Sequence, residues 1–362
     1  MPGRTGHYDC GHLSTLIRGK PIFVRCYRSF ALEYEVKTRN IRGTSIAAAA
    51  ALLAAAGCSG TSGGGLTSGR LEKTNIVVDA FGAIDSAGLF IAQQDGLFKA
   101  QGLNVTIQLT TKSQDAINGQ LAGKYDITSA DYVTYVDNVL LKKAPLRIVA
   151  ESSFLQPNVL TLLVKPGSGV KSVTQLRHGT VSVNAPNDIG TVLIDSVLTE
   201  NGIPLNTVRF NNNVIFPNVG TALHKGVVDA AFAPEPFVSL NEFQGGAQEL
   251  ADLDEGGTKN FPIQGVAVTQ KWAQDNPNTL AAFERAYAQG QQIADTDRAA
   301  VEGTLEKFLQ MPPLAAALIS LPNFPIGVDS VRLQRLVDAM VRFHLLGQQF
   351  RAFRISSIIG NG

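Results

Sequence analysis

Four landmarks in the first half of the chain's body recur, in the same order and almost the same spacing, in the second half. Asp85-Ser-Ala-Gly-Leu-Phe leads to Gly102-Leu103 and then to Leu121-Ala-Gly-Lys-Tyr-Asp-Ile127, while Asp188-Ile-Gly-Thr-Val-Leu leads to Gly202-Ile203 and then to Leu223-His-Lys-Gly-Val-Val-Asp229. The offset is 103 residues from Asp85 to Asp188, 100 from Gly102 to Gly202, and 103 for both the glycine and the acid of the last landmark. Any one of these matches is weak. Four in register restrict the chain to two lobes built on one template.

Each half also gives the same local reading. Residues 75–79 (NIVVD) and 180–184 (TVSVN) are short β-branched runs ending in polar turn residues, the pattern of strands. Each precedes a helix-length stretch opening at Asp85-Ser86 or at Asp188, whose side-chain oxygens can accept the unpaired N–H groups of a first helical turn. Gly96 and Gly202 close those helices. Residues 105–109 alternate apolar and polar, 208–210 are their shorter counterpart, and further helices end at Gly123 and Gly226 before strands at 125–130 and 228–233. Strands alternating with helices predict an α/β chain in which each lobe is a mostly parallel sheet flanked by helices.

In such sheets ligands bind beyond the carboxyl ends of the strands. Those loops are 80–86, 110–113 and 129–132 in lobe one, and 184–191, 211–218 and 234–237 in lobe two. Crossings at 160–166 and 263–269 are expected to join the lobes around a hinged cleft, giving lobe one as 71–162 plus 267–362 and lobe two as 163–266. Helical periodicity at Leu333, Leu336, Val337, Met340 and Phe343 places a C-terminal helix on lobe one.

What precedes the lobes reads as an address. Residues 1–57 hold eight Lys/Arg and three acids, which leaves 23 basic and 27 acidic residues to the rest of the 362. A mildly acidic body offers no basic footprint for nucleic acid. Cys10, Cys26 and Cys58 are the only cysteines, so the body has no disulfide framework, thiolate metal site or thiol nucleophile. The basic stretch KTRNIRGTS from Lys37, then the apolar run 46–56, then Gly57-Cys58 follow the plan of a secretory signal. Its eleven apolar residues are too few for a membrane span, which needs about 20. Ala55-Ala56-Gly57-Cys58 resembles a bacterial lipobox, with Cys58 as the lipidated residue. Residues 58–70 are then a Gly/Ser-rich tether. Residues 1–35 fit no part of a signal, and translation is expected to start near Val36.

AGLFIAQQDGLFKAQGLNVTIQ (87–108), AGKYDITSADY (122–132), KGVVDAAFAPEPF (225–237) and WAQDNPNTLAAFERAYAQGQQIA (272–294) are similar, in pattern and order, to segments of one family. It is that of the solute-binding lipoproteins of ABC importers, in the nitrate/sulfonate/taurine and thiamine-pyrimidine branch. The resemblance covers about 71–357. It implies a two-lobe periplasmic-binding-protein type II fold with the ligand in the interlobe cleft, no catalysis and no cofactor. It further implies a monomer anchored by lipid on the extracytoplasmic face, serving an ABC permease and its ATPase.

The residues themselves agree in offering no catalytic signature. HExxH and a dinucleotide fingerprint are absent, and His7, His12, His178, His224 and His344 have no metal-ligand spacing. The best single ligand-binding candidate is the turn Asn184, Asn187, Asp188, Gly190 and Thr191, where a helix start would aim free N–H groups at an anion or polar oxygen. Asp85, Asp131 and Glu235 argue the other way, because three carboxylates without an Arg repel nitrate or a simple sulfonate and favour a neutral, amine-bearing or zwitterionic solute. Asp85 and Asp131 serve equally as helix caps and Glu235 as an interlobe or permease contact. Ser86 and Ser129 add hydroxyls, and Phe81, Tyr132, Tyr135 and Phe154 add ring faces for a heterocycle. Asn211, Asn212, Asn213 and Asn218 supply amides or simply turns. Two other functions share the architecture: a ligand sensor without a permease, and a pyrimidine-synthase-like enzyme, for which the body lacks the cysteine and a well-placed histidine.

Overall fold

The computed structural model of the chain describes residues 14–17, 20–23 and 69–360. The signal-like run, Cys58 and nearly all of the tether lie outside the described residues. Strands β1 (Ser14–Ile17) and β2 (Lys20–Phe23) pair as an antiparallel hairpin within the unit 1–65; everything below concerns the second unit, 66–362. Among the described residues no helix is long and apolar enough to cross a membrane.

Two five-stranded sheets form the second unit. The first contains β3 (Asn75–Phe81), β4 (Asn104–Thr110), β5 (Ile127–Asp131), β6 (Leu146–Phe154) and β12 (Pro262–Thr269), in the order β4-β3-β5-β12-β6. The second contains β7 (Leu160–Val164), β8 (Thr180–Ser182), β9 (Arg209–Asn211), β10 (Ala230–Pro234) and β11 (Gln248–Asp252), in the order β9-β8-β10-β7-β11. In both, the first three strands run parallel, the fourth is antiparallel to its neighbours on both sides, and the fifth is antiparallel to the fourth. The repeat in the sequence is therefore a repeat of topology.

The odd strand of each sheet is the one the chain supplies on changing lobes. β7 and β12 were expected as crossings between the lobes; they are instead antiparallel members of the sheets, fully formed at 160–164 and 262–269. The boundaries at 162/163 and 266/267 thus cut through strands, and the chain changes sheet at 155–159 and 253–261. These two crossings lie side by side, Leu155 N–H donating to Phe261 O at 2.8 Å. They read as connections in the sequence because LTLLV and PIQGVAVT carry no mark of direction, which pairing alone decides.

Local chemistry explains the rest. Gly96, Gly123, Gly202 and Gly226 all take positive φ, between 66° and 76°, after their helices. The helix Ala87–Gln94 covers the first sheet by crossing the helix Pro277–Thr296 at Gly88 and Gly290. A Cβ on Gly290 would stand 2.2 Å from the Gly88 carbonyl oxygen, so this approach requires glycine. The C-terminal helix Ser330–Arg342 buries Leu333, Leu336, Val337 and Met340 against lobe one, at the spacing of one helical face. Its Arg335 reaches across to the second crossing, donating to Gly257 O at 3.0 Å and Lys259 O at 2.8 Å.

Candidate functional site

Between the two sheets lies a cavity of about 480 Å³ lined from both lobes. Loops past the carboxyl ends of β3, β4 and β5 meet those past β8 and β10, where the shared topology directs them. The lobes touch around it. Asn184 Nδ2 donates to Thr111 O at 2.9 Å, and the Phe81 ring meets Phe216 edge-on with centroids 6.2 Å apart.

Six of the twelve residues expected at the site line this cavity: Phe81, Asp85, Asp131, Asn184, Asn187 and Asp188. Asp131 caps the helix Tyr132–Leu140, its carboxylate accepting from Thr134 N at 2.9 Å and Thr134 Oγ1 at 2.6 Å. Asp188 caps Ile189–Glu200, accepting from Thr191 N at 3.2 Å and Ala185 N at 3.0 Å. Asp85 caps nothing: it sits inside the 3-10 turn Ile84–Ser86 and accepts a short hydrogen bond from Ser153 Oγ.

These acids are held where ionisation is costly. Burial raises all three: Asp85 to about 6 despite the Ser153 donor, and Asp131 despite its Thr134 donors. Asp188 rises to about 7, through burial first and the neighbouring Asp131 second, against the opposing pull of the Thr191 and Ala185 N–H groups. The expectation that the turn at 184–191 aims free N–H groups at an anion is narrowed here, because the Asp188 carboxylate occupies those of Thr191 and Ala185.

The other six lie outside the cavity wall. Ser86 Oγ donates to Phe81 O and shapes the loop; Ser129 Oγ accepts from Gln264 Nε2 at 2.6 Å, and it is Gln264 that lines the cavity. Tyr132 is buried against Gly265, where an added Cβ would meet its hydroxyl at 2.4 Å. Thr191 serves the Asp188 cap. Gly190 leaves room for the Phe232 ring, which a Cβ would strike at 2.7 Å. Glu235 is fully buried as an interlobe contact, its alternative reading, accepting from Ser239 N at 3.0 Å in its own lobe and from Ser320 N at 2.8 Å in lobe one. Tyr135 is core, bonded to Thr128, and Phe154 lies under the Arg332 guanidinium. Asn211 closes a turn by accepting from Asn213 N.

The wall holds residues the sequence did not single out. Phe216 and Phe232, 5.8 Å apart edge-to-face, form with Phe81 an aromatic side to which Leu160 and Ile263 add. Two lysines also line the wall, which the sequence reading did not place there. Lys142 pairs with Asp137 at 3.0 Å, while Lys112 makes no ion pair among the described residues. The alternating run before Lys112 hinted at the loop, but nothing local said that its lysine turns toward the other lobe. No group of three or more His, Cys, Asp or Glu converges as a metal site among the described residues.

Residues 83–298, more than half of the chain, match the NMT1/THI5-like family model. No curated protein matches the sequence. Several solved structures share the fold. The alkanesulfonate-binding protein SsuA from Xanthomonas axonopodis pv. citri, bound to MOPS, aligns with a TM-score of 0.68 at 17% identity, over 80% of this chain and 98% of that one. The periplasmic nitrate-binding protein NrtA from Synechocystis PCC 6803 aligns at 0.67 and 14% identity, over 80% and 87%. The periplasmic aliphatic sulphonate binding protein SsuA from Escherichia coli aligns at 0.63 and 17% identity, over 76% and 89%. Two mixed sheets flanked by helices, so arranged, are the type II periplasmic-binding-protein fold.

Proposed function

The chain belongs to the NMT1/THI5-like family, and from that premise we propose that it is the extracytoplasmic solute-binding component of an ABC importer. It captures a small polar or heterocyclic organic solute, taurine- or sulfonate-like or aminopyrimidine-like, between its lobes. A permease and its ATPase receive the solute, and lipid on Cys58 keeps the receptor at the membrane. A binding role rather than a catalytic one is supported by the cavity wall: its carboxylates are engaged as helix caps, by Ser153 or, for Asp137, by Lys142, and the rest is amides, hydroxyls, lysines and apolar side chains.

The observation that carries the reading is the 480 Å³ cavity lined from both lobes and hinged on two adjacent crossings. Closing such a cleft buries a small solute almost completely. The test is a thermal-shift screen of the purified protein against taurine, alkanesulfonates, nitrate, aminopyrimidines, flavins and simple amines. A solute at 100 times its Kd adds about 2.7 kcal/mol to folding stability. A hit in any class supports a receptor; no shift from any of them counts against it.

A further inference from the structure

The cavity is rich in acceptors at the point where the lobes meet. Asp131 comes from lobe one and Asp188 from lobe two, both line the cavity, and the Asp131 charge disfavours ionisation of Asp188. Neither they nor Asp85 pairs with a Lys, Arg or His among the described residues. Asp131 and Asp188 each cap a helix, through Thr134 N and Thr191 N, so a carboxyl group already stands at each helix start where an anion would seat.

Asn184 supplies an independent sign. It is 5% exposed and lines the cavity. Its Nδ2 donates to Thr111 O, which fixes the amide orientation because a carbonyl oxygen only accepts. Its Oδ1 is left buried without a donor. Buried acceptors are rarely left so, and a missing partner is the ordinary explanation. The missing partner must donate.

We propose that the cleft recognises its solute by a protonated amino group seated between Asp131 and Asp188 and donating to Asn184 Oδ1, with the solute's apolar part on Phe81, Phe216 and Phe232. The inference rests on the receptor reading. An ammonium between two carboxylates of opposite lobes also removes the repulsion that opposes closure, so ligand charge and hinge position are coupled. Lys112 is the competing feature. It lines the same wall next to Ser113, whose Oγ accepts from Asp131 N, and would dominate if the solute were anionic.

Calorimetric titration of the purified protein with matched probes separates these cases: butylamine and benzylamine, butanesulfonate and phenylmethanesulfonate, and benzyl alcohol. The amines are expected to bind at least ~10-fold more tightly than the sulfonate and alcohol on the same frame. Asp188→Asn, which retains a good helix cap, is expected to weaken amine binding by ~10-fold or more, and Lys112→Gln, which removes a like charge from the same wall, to strengthen it. A melting transition for each variant confirms that it folds. Preference for the sulfonates, abolished by Lys112→Gln and spared by Asp188→Asn, overturns the inference while leaving the receptor reading intact. Failure of both amines to bind overturns it too, whatever the screen of other solutes returns.

Discussion

Asp85 and Asp188 hold matching places in the two halves of the chain, after the equivalent strands β3 and β8, yet they do different work. Asp188 caps its helix through Thr191 N, whereas Asp85 sits within a 3-10 turn, held by Ser153 from β6. The first turns that follow differ in the same way. Gly88 makes room for Gln291 of the long helix behind lobe one, and Gly190 makes room for Phe232 in the cavity wall. A shared template therefore fixes where the loops gather, and divergence at matched positions turns the helix start at Gly88 to packing within lobe one and that at Gly190 to the cavity wall.

The comparison is sharpest in its pH dependence. In the folded protein without solute, the Asp188 carboxyl is raised from 3.8 to about 7, so the folded state holds its proton more tightly than the unfolded chain. That contribution to stability is complete below pH ~4 and is lost as pH rises through about 7. Asp188→Asn keeps the cap without the charge, and is expected to gain on the wild type by on the order of 4 kcal/mol between pH 4 and pH 8. Asp85, raised to about 6, gives the same sign and a smaller gain for Asp85→Asn, on the order of 3 kcal/mol. Denaturant unfolding at a series of pH values measures both. Equal pH profiles for variants and wild type would remove the buried-carboxylate picture.

The glycine pair is expected to give a smaller effect that separates the two helix starts by function. Gly88→Ala and Gly190→Ala each overpack a first turn and are expected to cost about 1–3 kcal/mol. Only Gly190→Ala moves Phe232, so only it should also change solute affinity. Loss of affinity in Gly88→Ala with Gly190→Ala unaffected would reverse the assignment of the two helix starts.

Much of this arrangement was legible in the chain. Repeated landmarks predicted the paired lobes, the glycines at 96, 123, 202 and 226 marked the helix ends, and Asp131 and Asp188 read as caps because capping is local chemistry. What was illegible depends on distant partners. The strand directions of β7 and β12 are set by pairing across the sheets, and Phe216, Phe232 and Gln264 reach the cavity only because residues far apart in the chain converge there. Glu235 read equally as a site carboxylate or an interlobe contact, and only its Ser320 partner, 85 residues away in lobe one, decides for the contact.

The central claim is closure of two lobes on a solute, and a distance across the hinge tests it most directly. Lys124 and Lys225 are exposed and follow the equivalent helices Ser113–Leu121 and Val219–His224 of the two lobes. Spin labels on Lys124→Cys and Lys225→Cys, with the native cysteines replaced by serine, report that distance by double electron–electron resonance. The expected result is a broad distribution in the free protein that narrows and shifts when the tightest-binding amine saturates it. An identical distribution in the free and saturated protein would contradict closure.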